Sequence, residues 1–146
     1  MNILKSTCKS VGEVTWSYNQ GTFIGGLTSL YQATGKQEYL EEAVKVTQTV
    51  LKQSGLVSTE GIAIEKLGTG GDATLFKGIF IRYLAQLRDV LNVRKQHQEV
   101  ASQIDACIRK SVTSLLQRSE KSDELFGCHW HPCMDPETRD FNTQVA

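Results

Sequence analysis

Trp16-Ser17-Tyr18-Asn19-Gln20-Gly21-Thr22-Phe23-Ile24-Gly25-Gly26-Leu27, running on to Leu30-Tyr31 and Gly35, decides the fold of this chain. Ser17 and Gln20 have the spacing of a capping box, in which a hydroxyl and an amide each satisfy the other's orphan backbone N–H. Phe23, Ile24, Leu27, Leu30 and Tyr31 then recur at helical spacing, and Gly35 stands where a left-handed stop is expected. No Asp, Glu, Lys or Arg lies between Val14 and Gly35. A helix without a charged face has no obvious solvent face, so the pattern predicts a buried helix. Its mouth carries Trp, Tyr, Asn and Gln, which a purely structural core helix does not need.

Working outward, the 146 residues suit one domain with a sizeable core. Sixteen basic and sixteen acidic residues cancel, which gives no electrostatic case for nucleic acid or an anionic membrane as partner. The charge-free stretch is too rich in Ser, Thr, Asn, Gln and Gly to span a bilayer. Met1-Asn2-Ile3-Leu4-Lys5-Ser6 shows no positive region followed by an apolar run, so no signal peptide is expected, and the compartment is not legible. Four cysteines are too few for a disulfide scaffold, and Cys8 and Cys107 read as free buried thiols.

A second helix is predicted from Gln37 to about Gln53. Tyr39, Leu40, Ala43, Val46, Val50 and Leu51 lie on one side; Glu41, Glu42, Lys45, Gln48 and Lys52 lie largely on the other. The short link at Lys36 makes it an antiparallel neighbour of the first. Residues 56–71 read as irregular, with Ile62, Ile64 and Leu67 as a brief extended piece and Gly68, Gly70 and Gly71 as a turn. Those glycines do not make a phosphate loop, because no strand precedes them and no Gly-Lys-Ser/Thr follows. Asp72 is a predicted N-cap for a third helix, Ala73 to about Leu91, whose apolar set (Leu75, Phe76, Ile79, Phe80, Tyr83, Leu84, Leu87, Leu91) is wider than one face. A fourth helix, roughly Arg94 to Arg118, turns Val100, Ile104, Cys107, Ile108, Leu115 and Leu116 inward. Buried and amphipathic helices thus alternate, the pattern of helical hairpins arranged in a ring. Four helices cannot close a ring, so neighbours supply the remainder or the chain is a piece of something larger.

These residues resemble a known family. Trp16 to Leu27, Leu30-Tyr31-Gln32-Ala33-Thr34-Gly35, Tyr39-Leu40 and Ala43 are similar to glycoside hydrolase family 76, the endo-α-1,6-mannanases and their relatives. The likeness continues through Gly61-Ile62-Ala63-Ile64-Glu65, Asp72, Phe76-Lys77-Gly78-Ile79-Phe80-Ile81-Arg82-Tyr83-Leu84, Gly127 to Trp130, and Asn142-Thr143-Gln144. The resemblance implies an all-α fold, an (α/α)6 toroid of alternating inner and outer helices with a substrate groove at one end of the inner ring. It also implies retaining cleavage of α-1,6-mannan, or transfer of such glycans, by two adjacent aspartates. Retention requires carboxyl groups about 5 to 5.5 Å apart across the glycosidic bond. Here the chain departs from the pattern, for it contains no Asp-Asp pair. The resemblance would place that pair upstream of residue 1. Residues 1–146 are therefore expected to form a single incomplete toroid domain, its C-terminal portion.

The candidate binding residues follow. Tyr18, Asn19 and Gln20 stand at the mouth of an inner helix, where two roles are open: capping the helix end, or meeting sugar hydroxyls. Trp16 reads as a core anchor before a stacking platform, and Asp72 as a cap. Lys77 sits one turn into an apolar helix and needs a groove or a carboxylate, because an unpaired buried ammonium is costly. Arg82 on that helix is matched with an acid such as Glu65. Glu41-Glu42 is an adjacent acidic pair on an amphipathic helix and reads as a solvated face. Cys128-His129-Trp130-His131-Pro132-Cys133 holds enough ligand types for zinc. Its spacing favours a disulfide or free thiols around Trp130, which the resemblance places near the groove.

The expectation is thus a glycosidase-like chain that contributes Tyr18, Asn19, Gln20, Lys77 and Trp130 to an α-mannan groove. It supplies no nucleophile and calls for no cofactor or metal. Two alternatives remain, a non-catalytic carbohydrate-binding remnant and a helical interaction module that self-associates through exposed inner helices.

Overall fold

The computed structural model describes residues 15–65, 72–117 and 130. It is all-α: α1 (Ser17–Thr34), α2 (Gln37–Gln53), α3 (Ala73–Arg94) and α4 (Gln98–Gln117). α1 ends as its sequence requires, on Gly35 in the left-handed region (φ 69°), whose N–H returns to the Tyr31 carbonyl at 2.8 Å. α2 is amphipathic over its whole length. Leu40, Ala43, Val44, Thr47 and Val50 are buried, while Glu41, Glu42, Lys45 and Lys52 face water. The turn between α3 and α4 departs from expectation. α3 continues to Arg94, and α4 starts at Gln98 rather than near Arg94. Lys95 (φ 55°) and His97 (φ 45°) make this turn in the left-handed region without a glycine or proline to announce it.

α1 and α3 lie side by side and parallel. Gly21 abuts Phe80, Gly25 abuts Tyr83, and Gln86 bonds Ser29 and Gln32, so the contacts climb both helices together. α4 runs back along α3, tied by Arg88 to Asp105 and by the Gln98 amide to the Leu91 carbonyl. α2 and α4 form the outer layer, joined at their N-terminal ends by Gln37 to Gln96 and Glu41 to His97. Between the layers sits one core with Ile24, Leu40, Leu56, Phe80, Leu84, Leu87, Leu91 and Ile104 fully buried. The arrangement is a partial (α/α)6 toroid with α1 and α3 as inner helices.

The inner helices are not buried on all sides within this chain. α1 buries a mostly small-residue face (Ser17, Gly21, Gly25 and Thr28, with the larger Ile24 and Tyr31), while Phe23 and Leu30 are about half exposed, as is Leu75 on α3. Among the described helices α2 and α3 pack most closely on α1, and its side away from them carries Phe23 and Leu30. On α4, Leu116 points outward and the buried positions near its end are Ser111 and Ser114. Both hydroxyls are occupied: Ser111 Oγ accepts from Ala63 N–H at 2.9 Å and donates to the Cys107 carbonyl, and Ser114 Oγ donates to the Trp130 carbonyl. Residues 56–64 form a small hairpin, with Val57 bridging Ala63 and Ile64 N–H bonding the Leu56 carbonyl.

Candidate glycan-binding rim

The candidate residues converge on the end where α1 and α3 begin. Tyr18 packs on Phe76, ring centroids 4.2 Å apart, and Trp16 meets the same ring edge-on at 5.4 Å. Trp16 is thus a half-buried anchor between the two inner helices, as its core reading has it. Asn19 and Gln20 follow, half-buried, and among the described residues their side-chain amides make no hydrogen bond. The backbone carbonyls of Tyr18 and Asn19 accept from Thr22 Oγ1 within the helix.

The expected capping box does not form. Trp16 occupies the N-cap position without a side-chain bond, and the end of α1 is closed from outside it. Glu65 Oε2 accepts both the Ser17 N–H (3.2 Å) and the Ser17 hydroxyl, across 48 residues of sequence. A carboxylate suits this place, because the unpaired N–H groups and the dipole of a helix N-terminus both favour negative charge. Gln20 is therefore free of the capping duty that its spacing suggested. The pairing of Glu65 with Arg82 is likewise absent: Glu65 is buried against Ser17 while Arg82 lies exposed. Asp72 holds the N-cap position of α3, but its side chain makes no capping bond, and its carbonyl accepts Leu75 N–H instead.

Lys77 and Trp130 lie beneath this rim. Lys77 is 1% exposed, with its ammonium 5.4 Å from the centre of the Trp130 ring. An ammonium over an indole face recovers about 2 kcal/mol when desolvated, part of what its burial costs. Trp130 is held by its carbonyl to Ser114, and its Nε1 has no hydrogen-bond partner among the described residues. The remaining features of 128–133, like Cys8 and the glycines at 68–71, fall outside the described residues. Among those described, no group of three metal-ligating side chains occurs. Among the described residues no helix is long and apolar enough to cross a membrane. Glu41 belongs to the outer layer, where Gln37 and then His97 hold its carboxyl below the usual range. Among the described residues, a cavity of about 330 Å³ lies at the far ends of α1 and α3, and another of about 250 Å³ between α2 and α4. Neither includes a rim residue.

The family model for glycosyl hydrolase family 76 matches residues 2–145. The chain belongs to this family. No curated protein sequence matches it. Among solved structures, the family 76 chain is similar to the GH76A α-1,6-mannanase of Salegentibacter sp. HEL1_6, at 28% identity and a TM-score of 0.71, covering 85% of this chain and 36% of that one. An inactive variant of that mannanase, with two consecutive aspartates replaced by alanine and α-1,6-mannotetrose bound, aligns at 33% identity and a TM-score of 0.66, over 79% of this chain and 32% of its own. The Lin0763 protein from Listeria innocua gives 27% identity and a TM-score of 0.65, covering 88% and 34%. The family 76 chain therefore spans about a third of the length of these relatives.

Sequence reasoning missed Glu65 as the cap of α1, and Ser111 and Ser114 as the anchors of the parts around the rim. The available signal was a carboxylate closing a largely apolar extended run, Ile62 to Glu65.

Proposed function

We propose that this chain forms the C-terminal portion of a family 76 glycosidase domain acting on α-1,6-mannan or a related α-mannoside, and that it supplies lining of the substrate groove but not the nucleophile. The observation that carries this reading is the rim. Tyr18, Asn19 and Gln20 stand half-buried at the paired starts of two parallel inner helices, with the Asn19 and Gln20 amides unengaged among the described residues and the capping duty taken by Glu65. Amide and phenol groups fixed on a rigid helix end suit sugar hydroxyls, which both donate and accept. Lys77 and Trp130 complete the lining from below. The mannanase relatives supply the ligand class, α-1,6-linked mannooligosaccharide. Retaining chemistry needs two closely spaced carboxyl groups, and these 146 residues contain no adjacent aspartates.

Titration of the purified chain with α-1,6-mannotetraose, followed by amide NMR, tests the reading. Weak binding is expected, with shifts centred on residues 18–20, together with loss of binding in Asn19→Ala and no release of reducing ends. Hydrolysis at an enzyme-like rate would overturn the assignment of the chemistry, and absence of binding would overturn the groove. The half-exposed Phe23, Leu30 and Leu75 favour a second reading, a helical module covered by further polypeptide. Stable association with burial of those residues and no sugar binding would select it.

A further inference from the structure

We infer that Glu65 is a positioning residue for the glycan-contacting turn Tyr18–Gln20, which it holds in place through Ser17; this rests on the groove reading above. Glu65 is 1% exposed and Ser17 fully buried, and one carboxylate oxygen takes both donors that Ser17 offers. The other oxygen, Oε1, is buried without a hydrogen-bond partner among the described residues. A fold that needed only a helix cap has a cheaper solution, a Ser, Thr, Asp or Asn at the N-cap itself. This chain places Trp16 there and brings a carboxylate from a distant segment, with one of its oxygens unmet among the described residues.

What the distant carboxylate adds is a mechanical link. The segment carrying Glu65 is itself pinned to the outer layer, because Ala63 N–H donates to Ser111 Oγ of α4 and the 56–64 hairpin closes on Leu56. α4, the hairpin, Glu65, Ser17 and the rim are thus connected by hydrogen bonds in series. The first turn of a helix otherwise frays, its amides having no partner within the helix. With Ser17 clamped, Tyr18, Asn19 and Gln20 present their side chains from a fixed backbone, which lowers the ordering cost of binding.

Glu65→Gln, Ser17→Ala and Tyr18→Phe, singly and as the Glu65→Gln/Tyr18→Phe pair, test the inference by α-1,6-mannotetraose affinity and amide hydrogen exchange. Glu65→Gln exchanges a charge-assisted bond for a weaker neutral one and is expected to weaken binding about five-fold or more. Ser17→Ala acts in the same direction to a smaller degree and serves if Glu65→Gln does not fold. Since the carboxylate acts through the rim, its loss costs less in the Tyr18→Phe background than in the parent. Exchange in the free protein is expected to rise about ten-fold at Gln20 and Gly21, whose amides close the first turn, and to stay unchanged in α2 and α4. Unchanged affinity in both Glu65→Gln and Ser17→Ala, or strictly additive losses with Tyr18→Phe, would overturn the positioning role. Should the parent chain not bind the sugar, the groove reading falls, and exchange alone decides: acceleration confined to Gln20 and Gly21 sustains the clamp, and none or a uniform rise removes it.

Discussion

Three glycines within one helix, Gly21, Gly25 and Gly26, make a sharp test of how α1 meets α3. Each gains about 1 kcal/mol of helix propensity on replacement by alanine, so the intrinsic term is common to all three. Their surroundings differ. A Cβ at position 21 would lie 2.7 Å from Phe80 Cα, with the Ile79 carbonyl and Phe80 N both at 3.2 Å. Those atoms are backbone of a packed helix and cannot swing aside, so the helices must separate. Overpacking of that kind costs about 1–3 kcal/mol. Gly21→Ala should then lose about 0–2 kcal/mol overall, while Gly26→Ala, with nothing within 4 Å of the new methyl, should gain up to about 1 kcal/mol. At position 25 the collision is with the Tyr83 ring, 2.0 Å away, so Tyr83→Ala should relieve Gly25→Ala and leave Gly21→Ala unrelieved. Urea unfolding followed by circular dichroism, at a shared slope, reads the differences from the midpoints. If Gly21→Ala matches or exceeds Gly26→Ala in stability, the parallel close approach of α1 and α3 is wrong.

Three further outcomes are expected. Gln37 and then His97 depress the Glu41 carboxyl in the folded state, so its contribution is present above the unfolded carboxyl range and is lost as pH falls through the folded value. The melting-temperature advantage of the parent over Glu41→Gln should therefore shrink as pH drops through about 4, and an advantage that grows on acidification contradicts the pairing. Burial pushes the Cys107 thiol up to about 11, so at pH 8 a chain with Cys8, Cys128 and Cys133 all changed to Ser should resist thiol-disulfide reagents until urea opens it; rapid labelling of the folded protein would contradict this. Thr47 Oγ1 is buried without a hydrogen-bond partner among the described residues, and Thr47→Val, of similar shape, should raise stability by about 1 kcal/mol in urea titration, a loss refuting the placement.

How much of this was legible depends on the range of each signal. α2 is read to its ends because its pattern is local: alternating faces, and a short link at Lys36. The α3–α4 turn was misplaced because Lys95 and His97 adopt left-handed backbone that their residue types do not announce. The pattern on α4 predicts Leu116 inward, yet Leu116 is exposed and Ser111 and Ser114 are buried, because apolarity is a proxy for burial that fails where a hydroxyl has a partner from another segment. The absence of charge in α1 marked an inner helix correctly, yet could not say which side its own chain covers. Phe23 and Leu30 are as apolar as Ile24 and differ only in what stands opposite them.

The same division explains the two buried charges. A carboxylate at the start of α1 is favoured by the helix dipole, whereas an ammonium early in α3 is opposed by it. Lys77 therefore cannot be accounted for by its own helix, and the structure places an indole face over it, from a residue more than fifty positions along the chain. Glu65 and Lys77 thus both meet partners beyond the reach of helical spacing, at the end of the inner helices where, among the described residues, the half-buried amides of Asn19 and Gln20 stand unengaged. A fold optimised for stability alone gains little from such groups, because well-packed apolar side chains are usually no worse. Their concentration at this end, and the apolar core along the rest of α3, support the proposed binding rim, which requires polar groups held on a rigid helical scaffold.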